Sequence, residues 1–387
     1  MRVTAVDTVV VNARLRNWVF VKVTTDEPGL HGWGEASLEW KTRAVVGAVQ
    51  DLADIVTGEE PLRLEHLWQA MFRQQFFKGG IVTMSAISGI EQALHDVKAK
   101  ALGVPLYELL GGRVRDRVRL YDHLGGGEST AVYDDAVPAA FAERARASVA
   151  DGFTALKILA VPPSRPLEAA APVHRAEALM GAVRDAVGPD VDVMVDLHGR
   201  TTPAMAIRYG HALAPYDPWF LEEPVQPGNV DALVEVARAL PIPIATGERL
   251  VTRWEFQELF AKRACDIAQP DVCHCGGIAE LRRIAAMAET AFLSIAPHNP
   301  LGPIATAVNV HAALSTPNFL IQEVMRSDVP WRDEVVDAPV EIVDGHVLPP
   351  TRAGIGVEVD EEEAARHPYA PEPPARVFHD DGSVADW

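Results

Sequence analysis

The sequence of 387 residues predicts an α/β protein with an N-terminal α+β capping domain and a modified TIM barrel of the (β/α)7β type. After residue 118, eight short apolar runs alternate with amphipathic stretches, as the strands and helices of a parallel barrel do. Before it, alternating strand patterns precede long helical patterns. We therefore expect the capping domain at 1–117, the barrel at 118–345, and a C-terminal segment at 346–387 that packs back on the capping domain.

The first domain is predicted from a change in hydrophobic period. Up to about residue 35, polar and apolar residues alternate as in β-strands, in VTAVDTVVV and WVFVKVTTD. From about 42 to 110, apolar residues recur three and four positions apart, as in MSAISGIEQALHDVKAKAL. The run GVPLYELLGG then combines an early proline with a Gly-Gly stop, which is typical of a short terminal helix.

The barrel is predicted from eight apolar runs, which read VRLYDHL, FTALKIL, VDVMVDL, WFLEE, IPIATGE, CDIAQPD, FLSIAPH and NFLIQE. Strands that are buried on both faces are rich in Val, Ile and Leu, and most of these runs fit that description. Eight units favour a closed barrel because an open sheet usually has fewer strands. The region after the eighth run is rich in proline and acidic residues, so only seven barrel helices are expected.

Composition limits the classes of partner. The net charge of −19 argues against nucleic acids and anionic membrane surfaces as partners, although a bound cation would let an acidic protein take an anionic substrate. The three cysteines, Cys265, Cys273 and Cys275, provide no disulfide framework and fit a reducing compartment. The N-terminus lacks signal-peptide features, and no apolar run approaches the length of a membrane span. We expect a soluble cytoplasmic protein.

Three acidic residues, Asp196, Glu222 and Glu248, stand 26 residues apart, and each closes an apolar run. One strand, one helix and two loops of a parallel barrel use about 25 residues, so three consecutive strands would each bring one carboxylate to the same rim. Carboxylates in close proximity repel one another unless a cation lies between them. Oxygen ligands without Cys or His favour Mg²⁺ over zinc. The spacing therefore predicts a magnesium site.

The later predicted strands also end in reactive groups. Asp271, His298 and Glu323 close the last three apolar runs. His198 lies two residues after Asp196, and on an extended strand the two side chains would point to the same side. A lone acidic residue at a strand end is more often a helix N-cap than a ligand, but the regular series favours a site. For His198 alone, ligand, acid–base and structural roles remain open.

Longer stretches carry a resemblance to a known family. They are FKGGIVTMSAISGIEQALHDVKAK, DLHGRTTPAMA, FLEEPV, ATGERL, QPDVCHCGGIAEL, APHNPLGPIA, QEVM and HDDGSVADW. In this order, over nearly the whole chain, the sequence resembles the mandelate racemase and muconate lactonising branch of the enolase superfamily. Within that branch it is most similar to sugar-acid dehydratases of the D-galactonate type.

The resemblance implies a chemistry and a set of roles. A proton is removed beside a substrate carboxylate, and Mg²⁺ at Asp196, Glu222 and Glu248 stabilises the enediolate that forms. His298 is implied as the base, oriented by Asp271 on its other ring nitrogen. A protonated Glu323 is implied as a donor to the substrate carboxylate, and His198 as the acid for loss of water. The product would be a 2-keto-3-deoxy sugar acid.

Other residues bear on the reaction and the substrate. Racemases of the branch typically end strand two with Lys-x-Lys, whereas here it reads Lys157, Ile158 and Leu159. The missing second lysine disfavours racemisation, and Lys157 itself is either a substrate contact or structural. The resemblance also implies substrate contacts from loops of the capping domain, at Asn17, Trp18 and Lys78.

The expected function is thus Mg²⁺-dependent dehydration of a small anionic sugar acid, similar to D-galactonate. One alternative is a dehydratase for gluconate, mannonate or a pentonate. Another is a non-catalytic metabolite-binding homologue, which predicts loss of some metal ligands or of the His–Asp pair, and all of these residues are present. Family habit implies a homo-oligomer, specifically an octamer.

Overall fold

The computed structural model describes residues 1–124, 137–326, 328–372 and 376–387. It confirms the predicted fold class, with an antiparallel sheet and helices at the N-terminus followed by a parallel barrel sheet. Among the described residues, no helix combines the length and the apolar character needed to cross a membrane.

The capping domain begins with a three-stranded antiparallel sheet in the order β1 (Val3–Ala13), β2 (Arg16–Thr25) and β3 (His31–Glu35). Four helices follow, α1 (Thr42–Val56), α2 (Leu64–Arg73), α3 (Ile81–Leu102) and α4 (Leu106–Leu109). Helix α3 lies directly on β3 because Gly32 has no side chain: a Cβ atom there would lie 2.2 Å from the carbonyl oxygen of Ala93. This close approach places α3 between the sheet and the barrel.

Eight parallel strands of the described chain form the barrel, as predicted. They are β4 (Val118–His123), β5 (Ala155–Ile158), β6 (Asp192–Asp196), β7 (Leu221–Glu222), β8 (Ile244–Thr246), β9 (Ile267–Ala268), β10 (Ser294–Ile295) and β11 (Gln322–Val324). Neighbours in sequence pair in parallel from β4 to β10, and β11 pairs with β4. A parallel bridge between Ile295 and Phe319 joins the two ends of the sheet, so the barrel closes. All carboxyl ends of the strands therefore lie on one rim.

Within residues 137–326, seven helices connect these strands, which agrees with the predicted (β/α)7β pattern. They are α5 (Pro138–Ala150), α6 (Ala170–Val187), α7 (Pro203–Leu213), α8 (Val230–Ala239), α9 (Thr252–Ala261), α10 (Ile278–Thr290) and α11 (Pro303–Ser315). In the described part of the chain, the next helix after β11 is the four-residue α12 (Glu361–Ala364).

The C-terminal residues contact both domains. Strand β12 (His346–Val347) pairs antiparallel with β4 on the barrel. Further on, the Glu358 carboxylate accepts hydrogen bonds from the capping domain at His31 Nε2 and Trp33 Nε1, both at 2.9 Å. We keep the division at 117 and 345 as a proposal, since the chain crosses between the domains at these points.

Candidate metal and acid–base site

The three evenly spaced carboxylates meet at the rim. Asp196 is the last residue of β6, Glu222 is the last residue of β7, and Glu248 follows β8 by two residues. One oxygen from each lies within 4.8 Å of the other two. Asp196 and Glu222 are buried, and the side chain of Glu248 is only 10% exposed. The three carboxylates that the regular spacing predicted to converge therefore lie together in the structure.

The electrostatics of this cluster suit a cation. Burial raises the pKa of Glu222 well above its usual range; Lys157 opposes the shift, and the charges of Asp196 and Glu248 add to it. Burial is also the main cause that raises the pKa of Glu248 to about 7. Three close, buried carboxylates are costly to ionise without a countercharge, and an all-oxygen donor set suits a hard divalent cation. These residues can therefore hold a divalent metal ion.

Lys157 on β5 is part of the same cluster. Its Nζ atom lies 2.5 Å from Glu222 Oε1 and 2.7 Å from Glu323 Oε1, and the residue is 1% exposed. Burial disfavours the charged ammonium, but the carboxylates of Glu222 and Glu323 outweigh it and raise the pKa of Lys157 well above its usual range. The ammonium is thus a fixed positive charge within the rim.

His298 and Asp271 form the expected pair. His298 Nδ1 lies 2.8 Å from Asp271 Oδ2, and His298 Nε2 lies 3.3 Å from Glu248 Oε2. Burial lowers the pKa of His298, but Glu248 and Asp271 outweigh it and raise the pKa to about 10. Because Asp271 accepts at Nδ1, that nitrogen carries a proton, and Nε2 is the atom that faces the carboxylate cluster. The pair has the geometry of an oriented base, but at this pKa the ring is protonated in this structure, so it must lose the proton on Nε2 before it can act as one.

Glu323 on β11 differs from the expectation of a protonated side chain. Its Oε2 atom accepts the backbone N–H of Asn299 at 2.8 Å, and Lys157 lies beside Oε1. Burial raises the pKa of Glu323, but Lys157 and His298 outweigh it and lower the pKa to about 2. The structure therefore favours the ionised form. A role as hydrogen-bond donor stays a prediction that requires a proton.

His198 reaches the rim by a different route from the one expected. The strand ends at Asp196, and His198 has a φ of 55°, so the prediction that it continues an extended strand is wrong. Its backbone N–H donates to Asp196 Oδ1 at 2.7 Å, and its Nδ1 lies 2.8 Å from the main-chain oxygen of Trp387. Burial, with a contribution from Arg200, lowers the pKa of His198 to about 3. The imidazole is therefore neutral in this structure.

Of the three capping-domain residues expected to contact substrate, two are buried and one is exposed. Asn17 is fully buried, and its side-chain amide pairs with the backbone of Ala370 through Nδ2 at 2.9 Å and Oδ1 at 3.1 Å. Trp18 is fully buried in the core, with the Arg332 guanidinium 5.4 Å from its ring centroid. Both side chains are held by these contacts, and their role as substrate contacts stays a prediction. Lys78 is exposed on the loop between α2 and α3.

Sequence reasoning missed three residues of the rim. Gln269 Nε2 donates to Glu222 Oε2 at 2.7 Å, and Asn299 anchors Glu323 as described above. The third is Trp387, whose contact with His198 spans 189 residues of sequence. Gln269 had a signal, since it stands two residues before Asp271 at a strand end, whereas nothing in the local pattern indicates the contact of Trp387.

Comparison with known proteins places this site in a family. Residues 2–111 match the model for the mandelate racemase / muconate lactonizing enzyme N-terminal domain, and residues 140–364 match the enolase C-terminal domain-like model. The D-galactonate dehydratase of Ralstonia nicotianae is 40% identical over 378 residues, 96% of each chain. The protein of the same name from Variovorax paradoxus is 39% identical over 380 residues, also 96% of each chain.

Solved structures agree with these matches. The mandelate racemase/muconate lactonizing enzyme from a Sulfitobacter species superposes with a TM-score of 0.89 at 37% identity, covering 96% of each chain. A member of the enolase superfamily from Salmonella Typhimurium superposes with a TM-score of 0.88 at 33% identity, covering 95% of this chain and 98% of that one. The chain therefore belongs to the mandelate racemase and muconate lactonizing enzyme family of the enolase superfamily.

Proposed function

We propose that this protein is a Mg²⁺-dependent dehydratase that converts a D-galactonate-like aldonate into a 2-keto-3-deoxy sugar acid through an enediolate. The observation that carries the proposal is the position of the His298–Asp271 pair, with Nε2 only 3.3 Å from Glu248 of the carboxylate cluster. A base beside a cation-binding group suits removal of a proton next to a carboxylate. The choice of dehydration and of galactonate rests on the names of the relatives.

The donor set supports a hard divalent cation, and we assign Asp196, Glu222 and Glu248 as the Mg²⁺ ligands. When bound, the ion would supply the positive charge that stabilises the dianion formed at the substrate carboxylate. Lys157 adds a second, permanent positive charge at the same rim, which supports a role for it in binding the anionic substrate.

The base has a defined atom in this proposal. In the neutral ring, His298 Nε2 takes the proton from the carbon next to the carboxylate, while Asp271 keeps the proton on Nδ1; the pKa of about 10 means that His298 must first lose a proton. The proton of that carbon is a very weak acid, so the surrounding positive charge and the orientation of the ring both contribute to the rate. Glu323, in its ionised form, holds Lys157 in place, and it donates to the substrate only if binding raises its pKa.

Loss of water completes the reaction. The hydroxyl on the next carbon leaves with its bonding electrons and needs a proton, because hydroxide is a poor leaving group. We assign this proton to His198, on the opposite flank of the carboxylate cluster from His298. The pKa of about 3 means that His198 must gain its proton in the substrate complex. The resulting enol then takes a proton at the carbon that lost the hydroxyl, which gives the keto acid.

A screen of aldonic and aldaric acids with Mg²⁺ tests the proposal, with the 2-keto-3-deoxy product detected by its semicarbazone absorbance. We expect turnover of one or a few acids, lost on addition of EDTA and in His298→Asn. Gluconate, mannonate and pentonates in the same screen test the alternative substrates. Binding of an acid without turnover, in metal-loaded protein, would instead support the non-catalytic homologue.

The assembly is a separate proposal. Family habit implies a homo-oligomer, an octamer, in which the capping domain, barrel and C-terminal segment form one protomer. Light scattering on the purified protein is expected to give eight times the mass of the chain. A monomer mass that persists at high concentration would contradict the proposal.

A further inference from the structure

Residues 376–387, here called the strap, lie beside the loops that follow β6 and β7. The strap folds back on itself through a bridge between Phe378 and Val384 and a hydrogen bond from His379 N–H to the oxygen of Ser383. It borders a cavity of about 490 Å³ whose other walls are those two loops with the start of the helices after them, and Ser164 and Pro166 of the loop after β5. Every residue of the strap is exposed or half-buried. The strap thus crosses the edge of the rim with little packing beneath it.

The end of the strap contacts His198 in two ways. The main-chain oxygen of Trp387 lies 2.8 Å from His198 Nδ1, and the two rings meet edge to face with their centroids 4.6 Å apart. Trp40 of the capping domain meets the other side of Trp387, with a centroid distance of 4.5 Å and an interplanar angle of 84°. One imidazole is therefore held by a hydrogen bond and by an aromatic ring that a second domain supports.

This contact decides which nitrogen of His198 can exchange a proton. A main-chain oxygen only accepts hydrogen bonds, so Nδ1 carries the hydrogen in both the neutral and the charged ring. In the neutral ring Nε2 then holds the lone pair, and an additional proton can bind only there. The ring contact also restricts rotation of the side chain. In addition, His198 has a left-handed backbone conformation that non-glycine residues rarely adopt.

We propose that Trp387 is a positioning residue for the dehydration: it fixes the orientation and tautomer of His198, so that Nε2 delivers the proton to the leaving hydroxyl. This inference rests on the proposed function, because only a reaction that expels hydroxide needs such an acid. Trp387 acts through His198 and is separate from the base, since His298 is held by Asp271 and Glu248 on the opposite flank of the cluster. Trp387, at the end of the strap, would thereby belong to the acid side of the active site.

Three variants separate the ring from the oxygen: Trp387→Phe, Trp387→Ala and a deletion of Trp387 alone. General acid catalysis contributes roughly 10²–10⁴-fold, so we expect kcat to fall by less than about threefold, by about tenfold and by about a hundredfold in this order. KM should change by less than about threefold, since a proton donor acts mainly after binding. Phe378→Ala, which removes another exposed aromatic of the strap, is the matched control and should keep the parent kcat.

Two further readouts distinguish positioning from general structural damage. Exchange of the substrate C2 proton with D2O needs only the base, so it should continue at close to the parent rate in all three variants. An analogue with fluoride in place of the leaving hydroxyl needs little protonation, so its elimination should also be largely retained. If exchange and dehydration fell together, or if the deletion left kcat unchanged, the inference would be overturned.

The contact itself can be tested without turnover. Diethyl pyrocarbonate modifies accessible imidazoles, and mass spectrometry can report His198 against the exposed His174 as an internal standard. We expect His198 to react faster in the Trp387 deletion than in the parent, and at the parent rate in Phe378→Ala. An equal rate in the deletion would show that Trp387 does not cover His198. If the deletion makes His198 more reactive but the parent protein dehydrates no acid, the contact is supported and the proposed function is contradicted.

Discussion

The two flanks of the barrel rim are built differently. On the base side, the loops that carry Asp271 and His298 lead into α10 and α11, and the capping domain holds the start of both helices. Glu91 accepts the backbone N–H groups of Ile278 and Ala279 at 2.8 and 2.9 Å. Glu35 accepts those of Gly302 and Ala305, both at 2.8 Å. Because both carboxylates are buried, these contacts are shielded from solvent.

On the acid side, the loop that carries His198 is bordered by the strap instead. The ion pair between Arg165 and Asp381, at 2.8 Å, joins the strap to the barrel, and both side chains are exposed to solvent. Exposed ion pairs contribute little to stability. Near its end, the strap relies on the contacts of Trp387 with His198 and Trp40.

From this difference we infer that the two flanks have separate roles in the reaction. Proton removal next to a carboxylate is the same for every substrate of this kind, and its base lies on a loop that leads into a helix held by the capping domain. The leaving hydroxyl differs in position and stereochemistry from one sugar acid to another. The acid that protonates it lies beside the strap, whose residues are exposed or half-buried. We expect changes on the base side to affect folding and all turnover, and changes on the acid side to affect the fate of the intermediate.

The largest effect is expected from His298→Asn. Asparagine cannot take up the C2 proton at the position of Nε2, so kcat should fall by about 10³-fold or more, and exchange of the C2 proton should stop. His198→Asn should lose dehydration but keep exchange. Steady-state kinetics and NMR in D2O measure both rates. If His198→Asn also lost exchange, the two flanks would not have separate roles.

A large loss of stability is expected from Glu35→Ala. The substitution leaves buried N–H groups of α11 without an acceptor, and we expect a loss of about 3–5 kcal/mol in the free energy of unfolding. Asp381→Asn, the matched change on the strap, should leave stability unchanged within error because its ion pair is exposed. Urea unfolding compares the two, and equal losses would argue against a stiffer base side.

Mg²⁺ should stabilise the protein by about 2.7 kcal/mol at a concentration a hundred times its Kd. The effect should grow as pH rises through about 7, because the pKa of Glu248 is raised to that value and its proton competes with the cation. Without metal, the pH dependence of stability has the opposite sign. Glu248 keeps its proton up to a higher pH in the folded protein than in the unfolded chain, so the free energy of unfolding falls from about pH 4.5 to 7. Calorimetry at pH 6 and 8, with Glu248→Gln as control, measures both trends. Metal stabilisation that did not depend on pH would contradict the assignment of Glu248.

A smaller effect is expected at Glu358, which joins the C-terminal segment to the capping domain away from the rim. Burial raises the pKa of Glu358, but His31 and Lys100 outweigh it and lower the pKa to about 2. Because the pKa of Glu358 is lower in the folded protein than in the unfolded chain, its carboxylate stabilises the folded protein fully above about pH 4.5. This contribution is lost as pH falls toward 2. With allowance for solvent screening, Glu358→Gln should cost about 1 kcal/mol at pH 7 and much less at pH 3. Unfolding curves of the parent protein and of Glu358→Gln, measured at pH 7 and at pH 3, test this prediction.

The site could be predicted from the sequence wherever position follows from the barrel repeat. The regular spacing of Asp196, Glu222 and Glu248 reflects one strand–helix unit per carboxylate, so their convergence required no knowledge of long-range contacts. The same holds for the His298–Asp271 pair, which comes from two consecutive strands. The eight barrel strands and seven helices of the described ranges were predicted for the same reason.

The failures occurred where distant parts of the chain meet. Asn17 forms hydrogen bonds with Ala370, a residue more than 350 positions away, and no local pattern indicates this contact. The left-handed turn at His198 likewise follows from its surroundings and leaves no periodic signal. The ionised state of Glu323 depends on Lys157, which arrives from a strand on the other side of β4.

The carboxylates of Glu35 and Glu91 also affect how the chain can be divided. Helices α10 and α11 begin after Gly277 and Gly302, which have no side chain with which to cap them. The capping domain supplies the missing acceptors, which in the barrel alone only water could replace. The two domains should therefore unfold in a single cooperative transition. In recombination between relatives, a capping domain would be exchangeable only if it brought both acidic residues with it.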